Sequence, residues 1–128
     1  MAGELAPVFT DKAPAAIGPY SQAMVAGDLV FVSGQIPLDP ATGEMVGGAF
    51  EDQVERVLAN VELILLVAGC QRSSVVKVTV FVTDLALFGR LNEVYARFFG
   101  SHRPARAVVE VSALPRGAAV EIEAVAIR

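Results

Sequence analysis

Hydrophobic spacing divides the chain into predicted helices and strands. Residues 50–68 carry apolar side chains at intervals of three and four positions, which predicts an amphipathic helix, and Gly69 follows it as a stop signal. A second helix is predicted to begin with Asp84 as its N-cap and to run to about Phe99, with Gly100 ending it. Each helix therefore has an apolar side to bury against the rest of the domain.

Strands are predicted where apolar positions alternate with polar ones or where β-branched residues cluster. Residues 22–35 are expected to form a hairpin with Gly27 in its turn, and residues 29–34 within it are expected to be a buried strand. Three further strands are expected, the last two as a hairpin: residues 74–82, 107–111 and 119–127. This order predicts a single α/β (α+β) domain over residues 1–128, with one mixed sheet covered on one face by two helices.

The composition adds an expectation about assembly. Apolar residues make up 54% of the 128 residues and charged residues only 19%. Ordinary soluble domains have about 45–50% apolar and about 25% charged residues. An apolar excess, together with a sheet face that no helix covers, predicts a subunit interface.

Net charge and the cysteine count exclude several classes of protein. The net charge of −4 argues against nucleic acid as a main partner, because nucleic-acid-binding surfaces are usually basic. No run reaches the roughly 18 apolar residues of a membrane-spanning helix. The single cysteine, Cys70, excludes an internal disulfide and is expected to be an inert thiol. We therefore expect a cytoplasmic protein with no nucleic-acid partner and no membrane partner.

Several common catalytic devices are missing from the sequence. His102 is the single histidine, which excludes a site built from several histidines. No phosphate-binding glycine-rich loop and no G-x-S-x-G motif is present. Any chemistry must therefore use carboxylates, arginines, hydroxyls and backbone groups.

Charged side chains near the C-terminal strands are the first candidates for such chemistry. Arg106 precedes an apolar strand, where it either makes a surface ion pair or offers its planar fork to a carboxylate ligand. Glu121 and Glu123 share one face of the last strand, which is either solvated or pairs with arginines across an interface. From spacing alone, the surface ion pair and the solvated or interfacial carboxylates are favoured.

Polar positions outside those strands have both structural and functional interpretations. Tyr20 follows a rigid Gly-Pro corner at residues 18–19, which either holds the ring for packing or aims its hydroxyl. Asn92 lies inside the second predicted helix, although asparagine is a weak helix former. It has either a polar role there or a chance position on the surface. Ser33 and Gly34 end a strand, where a glycine marks a bulge or lets a ligand approach the backbone.

Six segments carry a resemblance that no single residue provides. In chain order they are IGPYSQA, LVFVSGQIPLDPATGE, VVKVTVFVTDL, NEVYARFF, PARAVVEVSALPRGA and VEIEAVA. Together, from about residue 13 to residue 127, they resemble the RidA/YjgF family, the reactive-intermediate (imine) deaminases. The resemblance implies a chorismate-mutase-like fold and a homotrimer in which three sheets close into a central barrel. It also implies active sites in clefts between neighbouring subunits.

The resemblance further implies roles for individual residues. Arg106 would bind a substrate carboxylate with help from the backbone amide of Gly34. Glu121 and the backbone carbonyl of Val108 would hold and polarise the attacking water. Tyr20 would hydrogen-bond the substrate from the adjacent chain. Two further residues are expected to shape and orient the site: Ser33 and Asn92.

Ala107 departs from the family's pattern. Members commonly have Ser or Thr directly after the PAR segment, and often Cys next, whereas this chain has Ala107 and Val108. Loss of that hydroxyl would alter the support of Arg106 or the range of substrates. The role expected of Val108 uses its backbone carbonyl, which any residue provides.

The activity that the resemblance implies is hydrolysis of 2-imino acids, such as 2-iminopropanoate and 2-iminobutanoate, to 2-keto acids and ammonia. Such an enzyme is a hydrolase acting on C–N bonds, and it needs no metal or cofactor because an imine is already electrophilic. The alternative is a member that binds a small carboxylate without turnover, or a chaperone-like member, since the same cleft would serve each. Ribonuclease activity, linked to some members, is disfavoured by the acidic net charge.

Overall fold

The computed structural model describes residues 4–128, so residues 1–3 of the predicted domain lie outside the described range. Within that range the chain forms two α-helices and six β-strands. The helices are α1 (Phe50–Val67) and α2 (Phe88–Phe99). The strands are β1 (Leu5–Val8), β2 (Ala23–Ala26), β3 (Leu29–Gln35), β4 (Val75–Val82), β5 (Ala105–Glu110) and β6 (Val120–Ile127).

All six strands join one sheet in the order β1-β2-β3-β6-β4-β5. β5 is parallel to β4, and the other neighbours are antiparallel. The mixed sheet is confirmed, but the predicted hairpin of the last two strands is wrong. α2 carries the chain back across the sheet, so that β5 adds in parallel to the outer side of β4. β6 then enters between β3 and β4, where it pairs with both.

β1 is a strand that the hydrophobic pattern did not predict. Its four residues, LAPV, include Pro7, whose missing N–H is tolerated in an edge strand. β1 lies at the edge of the sheet beyond β2, with Val8 opposite Ala23. A strand of four residues that contains proline offers too few alternating positions for a pattern to identify it.

Both helices lie on one face of the sheet, as predicted. α1 contacts β3, β6 and α2. The sheet side chains on this face alternate along each strand, for example Val32 on β3, Val80 on β4 and Ile122 on β6, and all three are buried in one cluster with α1. The buried side chains of α1 follow the predicted apolar stripe: Phe50, Val54, Val57, Leu58, Asn60, Val61, Ile64 and Leu65.

The opposite face of the sheet carries large apolar side chains that are only half-covered. Leu29 and Phe31 on β3 are 40% and 45% exposed, and Ile127 on β6 is 50% exposed. Residues 29–34 do lie in a strand, as expected, but the expectation that it is buried is wrong for Leu29 and Phe31, because only alternate residues of β3 face the helices. An apolar face of this kind is typical of a contact surface.

The start of α2 differs from the prediction. Asp84 caps a short 3₁₀ turn at Leu85–Leu87, and its carboxylate accepts a hydrogen bond from the N–H of Ala86 at 3.0 Å. α2 then begins at Phe88 and ends before Gly100, whose positive φ of 64° favours glycine. No helix within residues 4–128 is both long and apolar enough to cross a membrane.

Candidate functional site

A small cavity of about 60 Å³ brings three of the predicted site residues together. Glu121 lines it from β6, Gly34 from the end of β3, and Tyr20 from the segment before β2. The other walls are mostly apolar: Pro14, Ala15, Ile17, Ile36, Leu38 and Pro115. A space of this size holds one or a few water molecules beside the carboxyl group of Glu121.

The surroundings of Glu121 disfavour its charged form. Burial raises the pKa of Glu121 above its ordinary value, and the carboxylate of Glu123 on the same strand face raises it further. Its neighbours in the chain, Val120 and Ile122, point to the opposite face and are fully buried in the core. A half-buried carboxyl group beside enclosed space is suited to accept a proton and return it.

Gly34 leaves room for the side chain of Glu121. A Cβ at Gly34 would lie 3.2 Å from Cγ of Glu121, a tight contact, and 2.9 Å from its Cδ, which is closer than real Cβ contacts. The pairing of β3 with β6 also shifts register between Val32 and Gln35. Of the two interpretations of this glycine, the bulge is confirmed, and the close approach that the structure shows is that of Glu121.

Two buried amide side chains, which the sequence analysis did not identify, hold the backbone of the cavity walls. Gln22 is 2% exposed; its Oε1 accepts from the N–H of Thr10 at 2.6 Å and its Nε2 donates to the carbonyl of Pro14 at 2.7 Å. Asn60 is fully buried on α1 and donates from Nδ2 to the carbonyl of Leu38 at 2.9 Å. A polar residue inside the apolar stripe of α1 was the signal that could have identified Asn60.

Tyr20 and Ser33 are tied to the segment that precedes β2. The hydroxyl of Tyr20 accepts a hydrogen bond from the N–H of Ile17 at 3.3 Å, and the Tyr20 side chain is 44% exposed. Oγ of Ser33 donates to the carbonyl of Ser21 at 2.6 Å. Ser33 therefore has a structural bond that connects β3 to the residue after Tyr20.

Arg106 lies away from this cavity, against α2. Its Nη1 donates to Oδ1 of Asn92 at 2.8 Å. Its guanidinium carbon lies 4.7 Å from the ring centroid of Tyr95 and 5.5 Å from that of Phe88. Among residues 4–128, no carboxylate forms an ion pair with Arg106 within 4.0 Å, so the surface ion pair favoured from spacing is not found there. The guanidinium fork has further N–H donors with which to bind a carboxylate.

Val108 and Ala107 lie on different sides of β5. Val108 is two residues from Arg106, on the same side, and packs against the hydrophobic core. Ala107 points to the other side, beside Thr79 of β4. A hydroxyl at position 107 would therefore point away from the guanidinium of Arg106 and could not support it.

Arg106 and Glu121 are not brought together within one chain. Arg106 on β5 pairs with Val78 along one edge of β4, whereas Glu121 on β6 pairs with Phe81 along the other edge. Three residues along a strand and two strand spacings put their Cα atoms about 14 Å apart. The two side chains also point to opposite faces of the sheet. A three- or four-carbon acid therefore cannot contact both side chains within one chain.

Comparison with known proteins identifies relatives over nearly the whole chain. The family model Ribonuc_L-PSP, described as endoribonuclease L-PSP, matches residues 10–128. A RutC family protein of Pyrococcus horikoshii is 52% identical over 119 residues, which covers 93% of this chain and 94% of that protein. The 2-iminobutanoate/2-iminopropanoate deaminase of Mus musculus is 47% identical over 121 residues, which covers 94% of this chain and 90% of the deaminase.

Solved structures of similar sequence have the same fold. A putative endoribonuclease from Thermotoga maritima superposes with a TM-score of 0.94 at 58% identity, covering 96% of this chain and 97% of that one. TdcF of E. coli, crystallised with bound serine, superposes with a TM-score of 0.91 at 44% identity, covering 96% of this chain and 98% of that one. The two solved structures share the fold of this chain, whereas the activities named among the relatives differ between an endoribonuclease and a deaminase.

Proposed function

This chain belongs to the endoribonuclease L-PSP family, which includes the RidA/YjgF proteins, and on that premise we propose that it hydrolyses 2-imino acids to 2-keto acids and ammonia. The proposed substrates are small members of the class, 2-iminopropanoate and 2-iminobutanoate. These are the compounds in the name of the mouse relative.

The observation that carries this proposal is the environment of Arg106. A half-buried guanidinium is held by an amide oxygen and two aromatic rings, with no carboxylate paired to it among the described residues. Burial without a counter-ion is costly for a charged group, so a bound anion would stabilise this arrangement. The relative TdcF was crystallised with serine, an amino acid that carries such a carboxylate.

The catalytic groups act together across a subunit interface. Arg106 of one subunit and the Glu121 cavity of its neighbour face the same substrate, and Tyr20 and Gly34 come from the subunit that provides Glu121. The half-exposed apolar face of the sheet supports a homotrimer in which three such faces close into a central barrel. The wide separation of Arg106 from Glu121 within one chain is the reason for assigning them to different subunits.

Arg106 binds the carboxylate of the imino acid and so fixes its C2 atom beside Glu121. With the imine nitrogen protonated, water adds to C2, Glu121 accepts the proton of the water, and the C=N electron pair moves to nitrogen. Glu121 then returns the proton to the amino group, and the C–N bond breaks to release ammonia. The hydroxyl transfers its proton to this ammonia, which leaves as ammonium, and the 2-keto acid remains. Three groups orient substrate and water: the Gly34 amide, the Val108 carbonyl and the Tyr20 hydroxyl.

Two remaining residues support these groups. Asn92 accepts a hydrogen bond from the guanidinium of Arg106, and Ser33 anchors the backbone next to Tyr20. Both therefore shape and orient the site.

The test is the release of ammonia and 2-keto acid from imines generated in situ by an amino acid oxidase. The protein should accelerate release above the uncatalysed rate, and Arg106→Ala should lower the acceleration by about a hundredfold, the loss of about 2.7 kcal/mol of transition-state stabilisation. Calorimetric titration with 2-oxobutanoate runs beside it. If the protein binds 2-oxobutanoate but does not accelerate hydrolysis, the deaminase assignment is wrong and the protein is a carboxylate-binding member of the family.

A further inference from the structure

We propose that Tyr95 is a positioning residue whose aromatic ring orients the guanidinium of Arg106. This inference rests on the proposed function and deepens it. Phe88, Asn92 and Tyr95 are spaced by four and three residues on α2, so they form one stripe along the helix. All three contact the same guanidinium. One stripe of α2 thus serves the arginine that binds the carboxylate.

Tyr95 is the most buried member of this stripe. It is 7% exposed, whereas Phe88 is 41% exposed. Its ring packs on the ring of Phe99, with centroids 4.8 Å apart. The guanidinium carbon of Arg106 lies closer to the Tyr95 ring (4.7 Å) than to the Phe88 ring (5.5 Å). The core therefore holds the Tyr95 ring, and the ring in turn offers a fixed face to Arg106.

The hydrogen bond to Asn92 and the aromatic ring of Tyr95 restrain Arg106 in complementary ways. Asn92 holds one atom, Nη1, through a single hydrogen bond, which leaves the guanidinium free to turn about that contact. An aromatic face within about 6 Å attracts the whole cation, and the plane of a guanidinium stacks on such a face. Since a carboxylate is bound by two parallel N–H donors, the orientation of that plane decides whether both donors reach the substrate.

The hydroxyl of Tyr95 has no part in this arrangement. It is buried and has no hydrogen-bond partner within residues 4–128. A buried hydroxyl without a partner destabilises a fold, so it gives no reason for a tyrosine here. The ring, which phenylalanine would also provide, accounts for the contact with Arg106.

Three variants separate positioning from ordinary packing. Tyr95→Leu removes the ring, Tyr95→Phe keeps the ring and removes the hydroxyl, and Phe50→Leu is the matched control. Phe50 on α1 is also 7% exposed and packs in the same cluster, but the guanidinium over its ring is that of Arg90 and not that of Arg106. Tyr95→Leu and Phe50→Leu should therefore lower the melting temperature by similar amounts.

Two measurements are made on each variant in its native assembly. The first is the order of the Arg106 side chain, from the ¹⁵N–¹H nuclear Overhauser effect of its Nε–H, identified by its loss in Arg106→Lys. The second is the pair of KM for imine hydrolysis and Kd for 2-oxobutanoate. Tyr95→Leu should disorder the Arg106 signal and raise KM and Kd about tenfold, with a smaller change in kcat, since a lost cation–π contact is worth about that factor. Tyr95→Phe and Phe50→Leu should leave both measurements close to wild type.

An ordered Arg106 in folded Tyr95→Leu, or an equal loss of order in Phe50→Leu, would overturn the proposal. A loss of order in Tyr95→Phe would overturn the assignment of the role to the ring rather than to the hydroxyl. If Tyr95→Leu does not fold, the variant Phe88→Leu replaces it, because Phe88 is exposed and its loss should not unfold the protein. Phe88→Leu should raise the Kd for 2-oxobutanoate by a few-fold. An unchanged Kd and an unchanged order of Arg106 would contradict the role of the stripe. The nuclear Overhauser measurement needs no substrate, so it still decides the role of Tyr95 if the wild type hydrolyses no imine.

Discussion

Gly34 on β3 and Glu121 on β6 lie so close together that a side chain at position 34 would overlap the carboxyl group of Glu121. A Cβ there would lie 2.9 Å from Cδ of Glu121. We predict that Gly34→Ala displaces the Glu121 side chain and lowers kcat for imine hydrolysis by at least about tenfold, since a misplaced proton acceptor loses much of its effect. Gly47→Ala is the control, because a Cβ at Gly47 has no atom within 4 Å. Equal activity of both variants would contradict the need for this close approach.

The second prediction concerns the pH dependence of activity. Glu121 must be ionised to accept a proton, and burial followed by the charge of Glu123 raises its pKa. The acid limb of kcat/KM should therefore lie above the ordinary pKa of a glutamate. Glu123→Gln removes one of the two causes and should move that limb to lower pH, as measured by kcat/KM against pH after subtraction of the uncatalysed rate. An unmoved limb would show that another group sets it.

The same raised pKa predicts how stability depends on pH. Because the folded state binds a proton at Glu121 more tightly than the unfolded state does, this group's stabilising contribution is full below the unfolded pKa and is lost as pH rises through the raised folded pKa. Glu121→Gln has no such loss. Urea unfolding at several pH values should therefore show the variant gaining stability relative to wild type as pH rises across that window. A difference that stays constant with pH would contradict the raised pKa.

Local pattern was sufficient for the elements whose periodicity reflects burial on one side. The apolar stripe of α1 and the alternation of β4 appear in the structure where the sequence predicts them. The pairing of β5 and β6 was not predictable in the same way. Alternation indicates which face of a strand is buried, but it carries no information about the neighbouring strand, and β6 pairs with β3, which is about ninety residues earlier.

The individual residues of the proposed site were identified by their motifs, whereas their placement relative to one another was not predictable. Arg106, Asn92 and Glu121 were all identified in the sequence, yet the distribution of these residues between two faces of the sheet depends on the pairing of β4 with both β5 and β6. The role of Gln22 in holding the cavity wall depends on contacts with residues 10–14, which form only when the chain folds. Such contacts leave no periodic signal.

A further prediction tests the buried amide of Asn60. Asn60→Ala leaves the carbonyl of Leu38 without its hydrogen bond, so the free energy of unfolding should fall by about 1–3 kcal/mol. Because Leu38 lines the Glu121 cavity, kcat should fall as well. Arg56→Met is the matched control: it removes the side chain that donates to Oδ1 of Asn60 and keeps the bond to Leu38. Unfolding in urea and imine turnover are measured for both, and a control as damaged as Asn60→Ala would contradict the role of the cavity wall.

The last prediction tests whether Arg106 and Glu121 of different subunits form one site. Arg106→Ala and Glu121→Gln should each be nearly inactive alone. When the two are co-expressed in equal amounts, a site that takes Arg106 from one variant and Glu121 from the other is intact, and random assembly makes about a quarter of all sites intact. Activity should therefore recover to about a quarter of wild type. The control is a chain that carries both substitutions, co-expressed with wild type. This chain supplies neither Arg106 nor Glu121, so intact sites form only between two wild-type chains. If the two single variants show only the sum of their separate activities after co-expression, while mass spectrometry confirms mixed oligomers, the site lies within one subunit and its assignment to an interface is wrong.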